Sequence, residues 1–307
     1  MKNKSNSGGR TIAFTKMQGA GNDFVLLDGV ANDLSGVDFA ALSKRLLDRR
    51  FGIGGDQLLV LLASEVKKRF RMRIFNADGG EVQMCGNGIR CLAKYIWQRN
   101  MAAEGAGERL EIDTLAGIIV PERIAPERRG GSPIGEEMQV RVDMGVPRLE
   151  GSVIPVRPAG KTLPINGRVI DHPLKVDDVL FRLTCVSMGN PHAAVFVEDV
   201  AGFPVGRYGP MIETDPLFPE RTNVEFIQVI GPDEIRMRVW ERGSGETLAC
   251  GTGASAGVVA AALKGLTSKS VKVLMPGGEL YIEWAPDGHV YMTGPAEEVF
   301  EGKIVLT

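Results

Sequence analysis

Two cysteines in this chain sit where a thiol can act as an acid or a base. Cys85 lies in Glu81-Val-Gln-Met-Cys85-Gly-Asn-Gly88-Ile-Arg-Cys91, and Cys250 lies 165 residues later in Glu246-Thr-Leu-Ala-Cys250-Gly-Thr-Gly253-Ala-Ser-Ala256. Each stretch reads as a glycine-flanked turn that opens a helix. A thiol at a helix head meets backbone N–H groups that lack intrahelical partners and the positive end of the helix dipole, both of which favour thiolate. The expectation is a pKa lowered by one unit or more from the free value of about 8.5. Cys91 and Cys185 fall on an apolar helix face and in a strand, where a cysteine reads as a small buried apolar residue.

A matched pair of thiols implies a particular chemistry. The N–H groups of Gly86, Asn87, Gly251 and Thr252 could hold one carboxylate, with the glycines allowing close approach. The Cα of an amino acid held that way would lie between two sulfurs. Removing its proton puts negative charge on Cα and the carboxylate, where the same N–H groups stabilise it as an oxyanion hole does. Thiolate on one face and thiol on the other give inversion of configuration.

Polar residues recur in the same register as the thiols. Asn22 pairs with Asn190, Gln57 with Asn223, and Asn76 with Glu241. A single loop Asn is more often a turn former than a ligand contact, but as repeat partners around two thiols these residues read as fixers of a zwitterion. Arg242 could grip a second carboxylate bidentately while Glu241 accepts from a second ammonium, which suits a substrate with an amino acid at each end. His192, after Pro191, reads either as a proton relay or as a structural hydrogen-bonding residue.

The elements that must position these groups repeat too. In the first half, strands at Thr11–Thr15 and Phe24–Asp28 flank a Gly-Asn turn, a helix is expected from Phe39 to Arg49, and strands follow at Leu58–Leu62 and Arg71–Phe75. A helix then runs from Cys85 to about Asn100. In the second half, strands flank Gly189-Asn190, another pair spans Phe226–Ile230 and Glu234–Trp240, and an Ala-rich helix runs from Cys250 to about Lys264. The Pro-, Gly- and charge-rich stretch 121–137 reads as a loop and the domain junction. The expected fold class is α+β: two pseudo-symmetric domains, each a curved, mainly antiparallel sheet around a central helix, with the ligand between them.

Composition narrows the partners. The 307 residues suffice for two domains with their own cores. A hydrophobic content of 44% with 24% charged residues, and no apolar run long enough to cross a bilayer, argue against a membrane role. Residues 1–10 read as a polar tail without an apolar signal segment, so a cytoplasmic location is expected. A net charge of −2 with mixed signs offers no basic stripe for nucleic acid, which leaves small molecules as partners. Four scattered cysteines and three isolated histidines predict reduced thiols and no metal. Gly251-Thr-Gly253-Ala-Ser-Ala256 fits a dinucleotide fingerprint formally, but no acidic residue follows at the ribose distance. A Cys/His hydrolase built on His192 is a stronger rival, yet it leaves the second cysteine loop unexplained.

The segments GAGNDF (19–24), GIGGDQ (52–57), NADGGEVQMCGNGIRC (76–91), MGNPH (188–192), RTNVEF (221–226) and ERGSGETLACGTGAS (241–255) closely resemble the diaminopimelate epimerases. The likeness runs from about Phe14 to Gly302. It implies interconversion of LL- and meso-2,6-diaminopimelate, on the route to lysine and peptidoglycan cross-links, without pyridoxal phosphate, metal or other cofactor. By that resemblance Cys85 and Cys250 are the acid/base pair. Asn22, Gln57, Asn76, Gly86, Asn87, Asn190, Asn223, Glu241, Arg242, Gly251 and Thr252 bind substrate, and His192 and Glu241 tune the thiols. It further implies a homodimer and a last strand that returns to the first domain, giving domains 1–136 with 297–307 and 137–296. Gln18 stands where the family often has His, and the proline and hydroxyproline racemases form the runner-up substrate class.

Overall fold

The structure is a computed structural model that describes residues 10–102, 107–124, 138–157 and 167–306. The tail of residues 1–9 and most of the 121–137 loop lie outside them. The chain divides into two units, Met1–Val140 with Ala296–Thr307 and Arg141–Pro295.

In the first unit, strands β1 (Arg10–Gly19) and β2 (Asn22–Asp28) form a hairpin around the Ala20-Gly21 turn, and helix α1 (Phe39–Leu46) carries the chain to β3 (Gln57–Ala63). Strands β4 (Phe70–Asn76) and β5 (Glu81–Val82) follow, then helix α2 (Gly86–Gln98), β6 (Ile112–Thr114), β7 (Gly117–Ile119) and β8 (Glu122–Ile124). Strand β9 (Gln139–Asp143) spans the unit boundary. The second unit repeats the plan with β10 (His172–Val176), β11 (Val179–Ser187), β12 (Pro191–Phe196), α3 (Val205–Glu213), β13 (Asn223–Gly231), β14 (Glu234–Glu241), β15 (Gly245–Thr247), α4 (Gly251–Leu263), β16 (Ser270–Met275), β17 (Gly278–Trp284) and β18 (Val290–Pro295). Strand β19 (Glu297–Leu306) then pairs antiparallel with β1.

The two sheets follow one order. In the first it is β19-β1-β2-β3-β4-β6-β7, and in the second β10-β11-β12-β13-β14-β16-β17 with β18 beyond. Most neighbours are antiparallel. The parallel pairs β2–β3, β4–β6, β12–β13 and β14–β16 each follow a helical crossover, because a chain cannot return to run parallel through a tight turn. Leu58–Leu61 of β3 are buried without alternation, as befits a strand covered on both faces. The matching run Val224–Ile227 of β13 is equally buried although it contains Glu225.

Helices α2 and α4 match over 13 residues each. Helix α4 packs against β11, β12, β13, β16, β17 and β18, which a sheet can offer only by curving round it. Every residue from Gly86 to Trp97 is buried, so α2 is likewise enclosed, by β1, β2, β3 and β19 of its own unit. Helix α1 stops at Leu46 rather than at Arg49. Asp48 Oδ1 takes the N–H groups of Arg50 and Phe51, each at 2.7 Å, and Ile53 and Gly54 donate back to the Leu46 carbonyl, so the chain turns there instead of winding on.

Gly209 in α3 lies under Trp240, and a Cβ there would stand 2.5 Å from Trp240 Cγ. The indole is held by its Nε1–H donating to Glu213 Oε2 at 2.7 Å, so it has little room to retreat. Gly→Ala inside a helix ordinarily gains about 1 kcal/mol. Here overpacking reverses the sign, and Gly209→Ala should lose about 1–3 kcal/mol, read as a lower midpoint in urea unfolding.

Candidate active site

At the head of α2, Cys85 is the N-cap, with φ −140° and ψ 114°, and its Sγ accepts from the Gly88 N–H at 3.4 Å. The N–H groups of Gly86 and Asn87 precede the first intrahelical bond, which Ile89 makes to the Cys85 carbonyl at 2.9 Å. Cys85 Sγ lies 3.7 Å from Asn22 Oδ1, which also receives the Asn87 amide at 3.4 Å. Asn22 is aimed by Asp56, whose Oδ2 accepts its Nδ2–H at 2.8 Å. Asp56 and Asp23 are clamped by Arg49, and Asp23 also by Lys16 at 2.6 Å. Burial opposes the Asp23 charge, but Arg49 and Lys16 outweigh it and hold the carboxyl well below its usual range. Gln57 donates to Asn76 Oδ1 at 2.9 Å where the ends of β3 and β4 meet.

The head of α4 repeats this backbone. Cys250 is its N-cap, with φ −134° and ψ 112°, and Ala254 N–H makes the first intrahelical bond, leaving the N–H groups of Gly251 and Thr252 ahead of it. Cys250 Sγ lies 3.5 Å from Thr252 Oγ1, and Asn190 donates to that oxygen at 3.4 Å. Asn223 donates to the Pro191 carbonyl at 2.8 Å and accepts from the Arg242 backbone N–H at 2.9 Å. The Arg242 guanidinium reaches the Glu220 carbonyl at 2.9 Å, and Thr247 donates to Glu241. Each unit thus assembles its own share of the expected residues: Asn22, Gln57, Asn76, Cys85, Gly86 and Asn87 in the first, and Asn190, His192, Asn223, Glu241, Arg242, Cys250, Gly251 and Thr252 in the second.

One expectation needs correction. The helix head was expected to lower the pKa of both thiols, but at Cys250 burial dominates and, with Glu241 nearby, pushes the thiol well above its ordinary value. Desolvation of a charged sulfur outweighs the N–H groups that would favour it. Burial likewise pushes Cys91 up to about 12 and raises Cys185, in keeping with their reading as packing residues.

Sequence reasoning picks out neither Arg90 nor Glu225, yet both are fully buried beside the thiol loops. The Arg90 guanidinium donates to Asn87 Oδ1 at 2.9 Å. Burial draws its pKa down to about 10, which still leaves it charged at neutral pH, and its charge acts on Cys91 and Cys85. Its repeat partner is Ser255. Glu225 meets His192 at 2.7 Å, where the first unit has Leu59 and Phe24 at the corresponding strand positions. A column-by-column comparison of the two halves would have exposed both, as charges standing opposite small or apolar residues.

Among the described residues no three His, Cys, Asp or Glu side chains gather as a metal-binding set, and no helix is long and apolar enough to cross a membrane. Paired sheet-wrapped helices, each headed by a cysteine, define the class. The fold is shared with a PhzF-family phenazine biosynthesis protein of Bacillus anthracis (TM-score 0.68, 17% identity, 97% of this chain and 100% of that one). It is shared too with a hydroxyproline epimerase of Agrobacterium vitis (TM-score 0.64, 14% identity, 96% of this chain and 91% of that one). Sequence narrows the class further. The family model for diaminopimelate epimerase matches residues 14–149 and 184–299. A diaminopimelate epimerase of Moorella thermoacetica is 53% identical over 294 residues, 95% of this chain and 99% of that protein. Another, of Pelotomaculum thermopropionicum, is 50% identical over 290 residues, 94% and 98%. The chain belongs to the diaminopimelate epimerase family.

Cys85 is partly exposed and has a buried cation one turn along its helix, whereas Cys250 is buried beside carboxyl groups. Brief iodoacetamide treatment near pH 7.5 should therefore modify Cys85 first, Cys250 more slowly, and Cys91 and Cys185 last. Peptide mass spectrometry of a time course reads the order; Cys250 reacting ahead of Cys85 would contradict this account of the two environments.

Proposed function

We propose that the chain interconverts LL- and meso-2,6-diaminopimelate by two-base proton exchange at one Cα, with Cys85 and Cys250 as the bases. The observation that carries this reading is the duplication itself: two 13-residue helices, each starting at a cysteine with near-identical backbone angles, in a member of this family. One sulfur, as thiolate, removes the α-proton. The other, as thiol, delivers its proton to the opposite face and becomes thiolate, so the enzyme ends in the mirror protonation state, ready for the reverse reaction, and must exchange protons with solvent before a second turnover in the same sense.

The α-carboxylate takes the first-turn N–H groups of Gly86, Asn87, Gly251 and Thr252, which stabilise the charge that spreads into it as the proton leaves. Asn22, Gln57, Asn76, Asn190 and Asn223 orient the zwitterion. Arg242 and Glu241 receive the distal carboxylate and ammonium, which makes a second amino-acid end a condition of tight binding. Both ring nitrogens of His192 are occupied, by Glu225 and by Asn190 Oδ1 at 2.9 Å, so it influences the thiols through Asn190 rather than as the base of a hydrolytic Cys/His pair. A proline-type racemase shares the fold, but Arg242 and Glu241 would then have no distal amino acid to engage. We also assign a cytoplasmic location, supported by four cysteines that stand as thiols, and a homodimer, the common assembly in the family.

Cys85→Ala and Cys250→Ala should each lower epimerisation of LL-diaminopimelate by about 10²–10⁴-fold, the usual worth of a general acid or base. Near wild-type turnover by one of them would remove the two-base assignment. Wild-type enzyme incubated with LL-diaminopimelate in D2O should place deuterium at Cα as optical activity changes, read by proton NMR and polarimetry. Absence of incorporation would dispose of the epimerase reading altogether.

A further inference from the structure

Glu225 is a carboxyl in the middle of a buried strand, with 0% side-chain exposure. Its Oε1 lies 2.7 Å from His192 Nδ1, its Oε2 is buried without a hydrogen-bond partner, and a Cβ on Gly253 would come within 2.9 Å of Oε1. The carboxyl therefore touches the first turn of α4 directly beneath Cys250. His192, equally buried, reaches with its other nitrogen to Asn190 Oδ1 at 2.9 Å. Asn190 Nδ2 in turn donates to Thr252 Oγ1, which lies against the Cys250 sulfur.

The proton count in this chain is constrained. The Asn190 carbonyl oxygen accepts and cannot donate, so Nε2 must carry a hydrogen. One further proton lies between Nδ1 and Oε1. Whether it resides on nitrogen or on oxygen, imidazolium with carboxylate or imidazole with carboxylic acid, the dyad has no net charge. That is the arrangement a fully buried pair can sustain, because an isolated carboxylate there would bear the full desolvation cost. Burial raises the Glu225 pKa and His192 opposes that rise. The other titratable groups facing the carboxyl are Cys185 on β11, Glu241 at the end of β14 and Cys250 on α4.

We propose that Glu225 is a positioning residue for the epimerisation: by sharing one proton with His192 it fixes Nε2–H on Asn190 Oδ1, which turns the Asn190 amide toward Thr252 and the Cys250 sulfur. The first unit has no such dyad, since Phe24 and Leu59 fill the corresponding positions, so this control belongs to Cys250 alone. A carboxylic acid or an ion pair of zero net charge under Cys250 leaves that sulfur free to alternate between thiol and thiolate without a fixed anion beneath it.

The kinetic part of the test rests on the epimerase reading; the spectroscopic part does not. In ¹⁵N-histidine-labelled wild-type protein without substrate, His192 Nε2 should carry a hydrogen and Nδ1 should share one with Glu225. In Glu225→Gln, a near-isosteric change, the uncharged amide cannot balance an imidazolium, so one ring nitrogen should appear unprotonated at pH 7 while circular dichroism stays unchanged. With diaminopimelate, Glu225→Leu, which removes the partner of Nδ1, should lower kcat about 10–100-fold, whereas Glu225→Gln, whose amide can donate to Nδ1 and keep Nε2–H on Asn190 Oδ1, should recover most of that loss. KM should move less than about threefold, and the pH profile of kcat should shift on one limb only. An unprotonated Nε2 in wild-type protein, or a Glu225→Leu enzyme with wild-type kcat and pH profile, would overturn the proposal. If wild-type protein fails to epimerise at all, the functional reading falls while the NMR result still decides the dyad.

Discussion

A helix head enclosed by its own sheet presents backbone N–H groups that the helix itself cannot satisfy, and that constraint shapes both halves of this molecule. The first N–H groups of α2 and α4 sit ahead of the first intrahelical bond, in a setting where an orphan donor costs on the order of 1–3 kcal/mol. A cysteine is a weak answer, since sulfur accepts poorly; Cys85 takes the Gly88 N–H only at 3.4 Å. The donors therefore remain available to a stronger acceptor, and a carboxylate is the natural one. The curved sheets and the parallel crossovers bury the body of each helix behind such a head.

Duplication supplies matched backbone geometry, yet the two thiols have different surroundings. The backbone at Cys85 and Cys250 agrees to within a few degrees, so the difference has to come from the side chains around them. A buried guanidinium stands behind the first thiol where the second has Ser255, and a buried acid stands behind the second where the first has Leu59. The ion pairs Arg73–Glu81 and Arg238–Glu246, each at 2.7 Å, show the opposite behaviour. They are preserved between the halves because they lie away from the thiols and fasten the short strands β5 and β15.

Much of this was legible in the sequence, for identifiable reasons. The cysteine loops, the Asn and Gln at strand ends and both central helices follow from local patterns: glycine spacing, 3.6-residue periodicity and repeat register. What escaped were effects that depend on depth. The helix dipole argument for Cys250 is local, whereas the burial that overrides it arises from strands far away in sequence. Helix α1 ended early because Asp48 captured the next N–H groups, a competition that apolar periodicity does not register. Arg90 and Glu225 carry no such local signal, and only packing places them in the core.

The glycines three residues after each cysteine show how one position can serve two environments. A methyl at Gly88 would stand 3.0 Å from Leu59 Cδ2 and 3.5 Å from a Phe24 ring carbon, so the first unit excludes it by apolar crowding. A methyl at Gly253 would stand 2.9 Å from a Glu225 oxygen, so the second excludes it by pressing on the carboxyl that faces His192. The missing side chain is common to both, but its consequence is not. In one half it lets a hydrocarbon wall close on the helix head; in the other it lets a proton-bearing group do so.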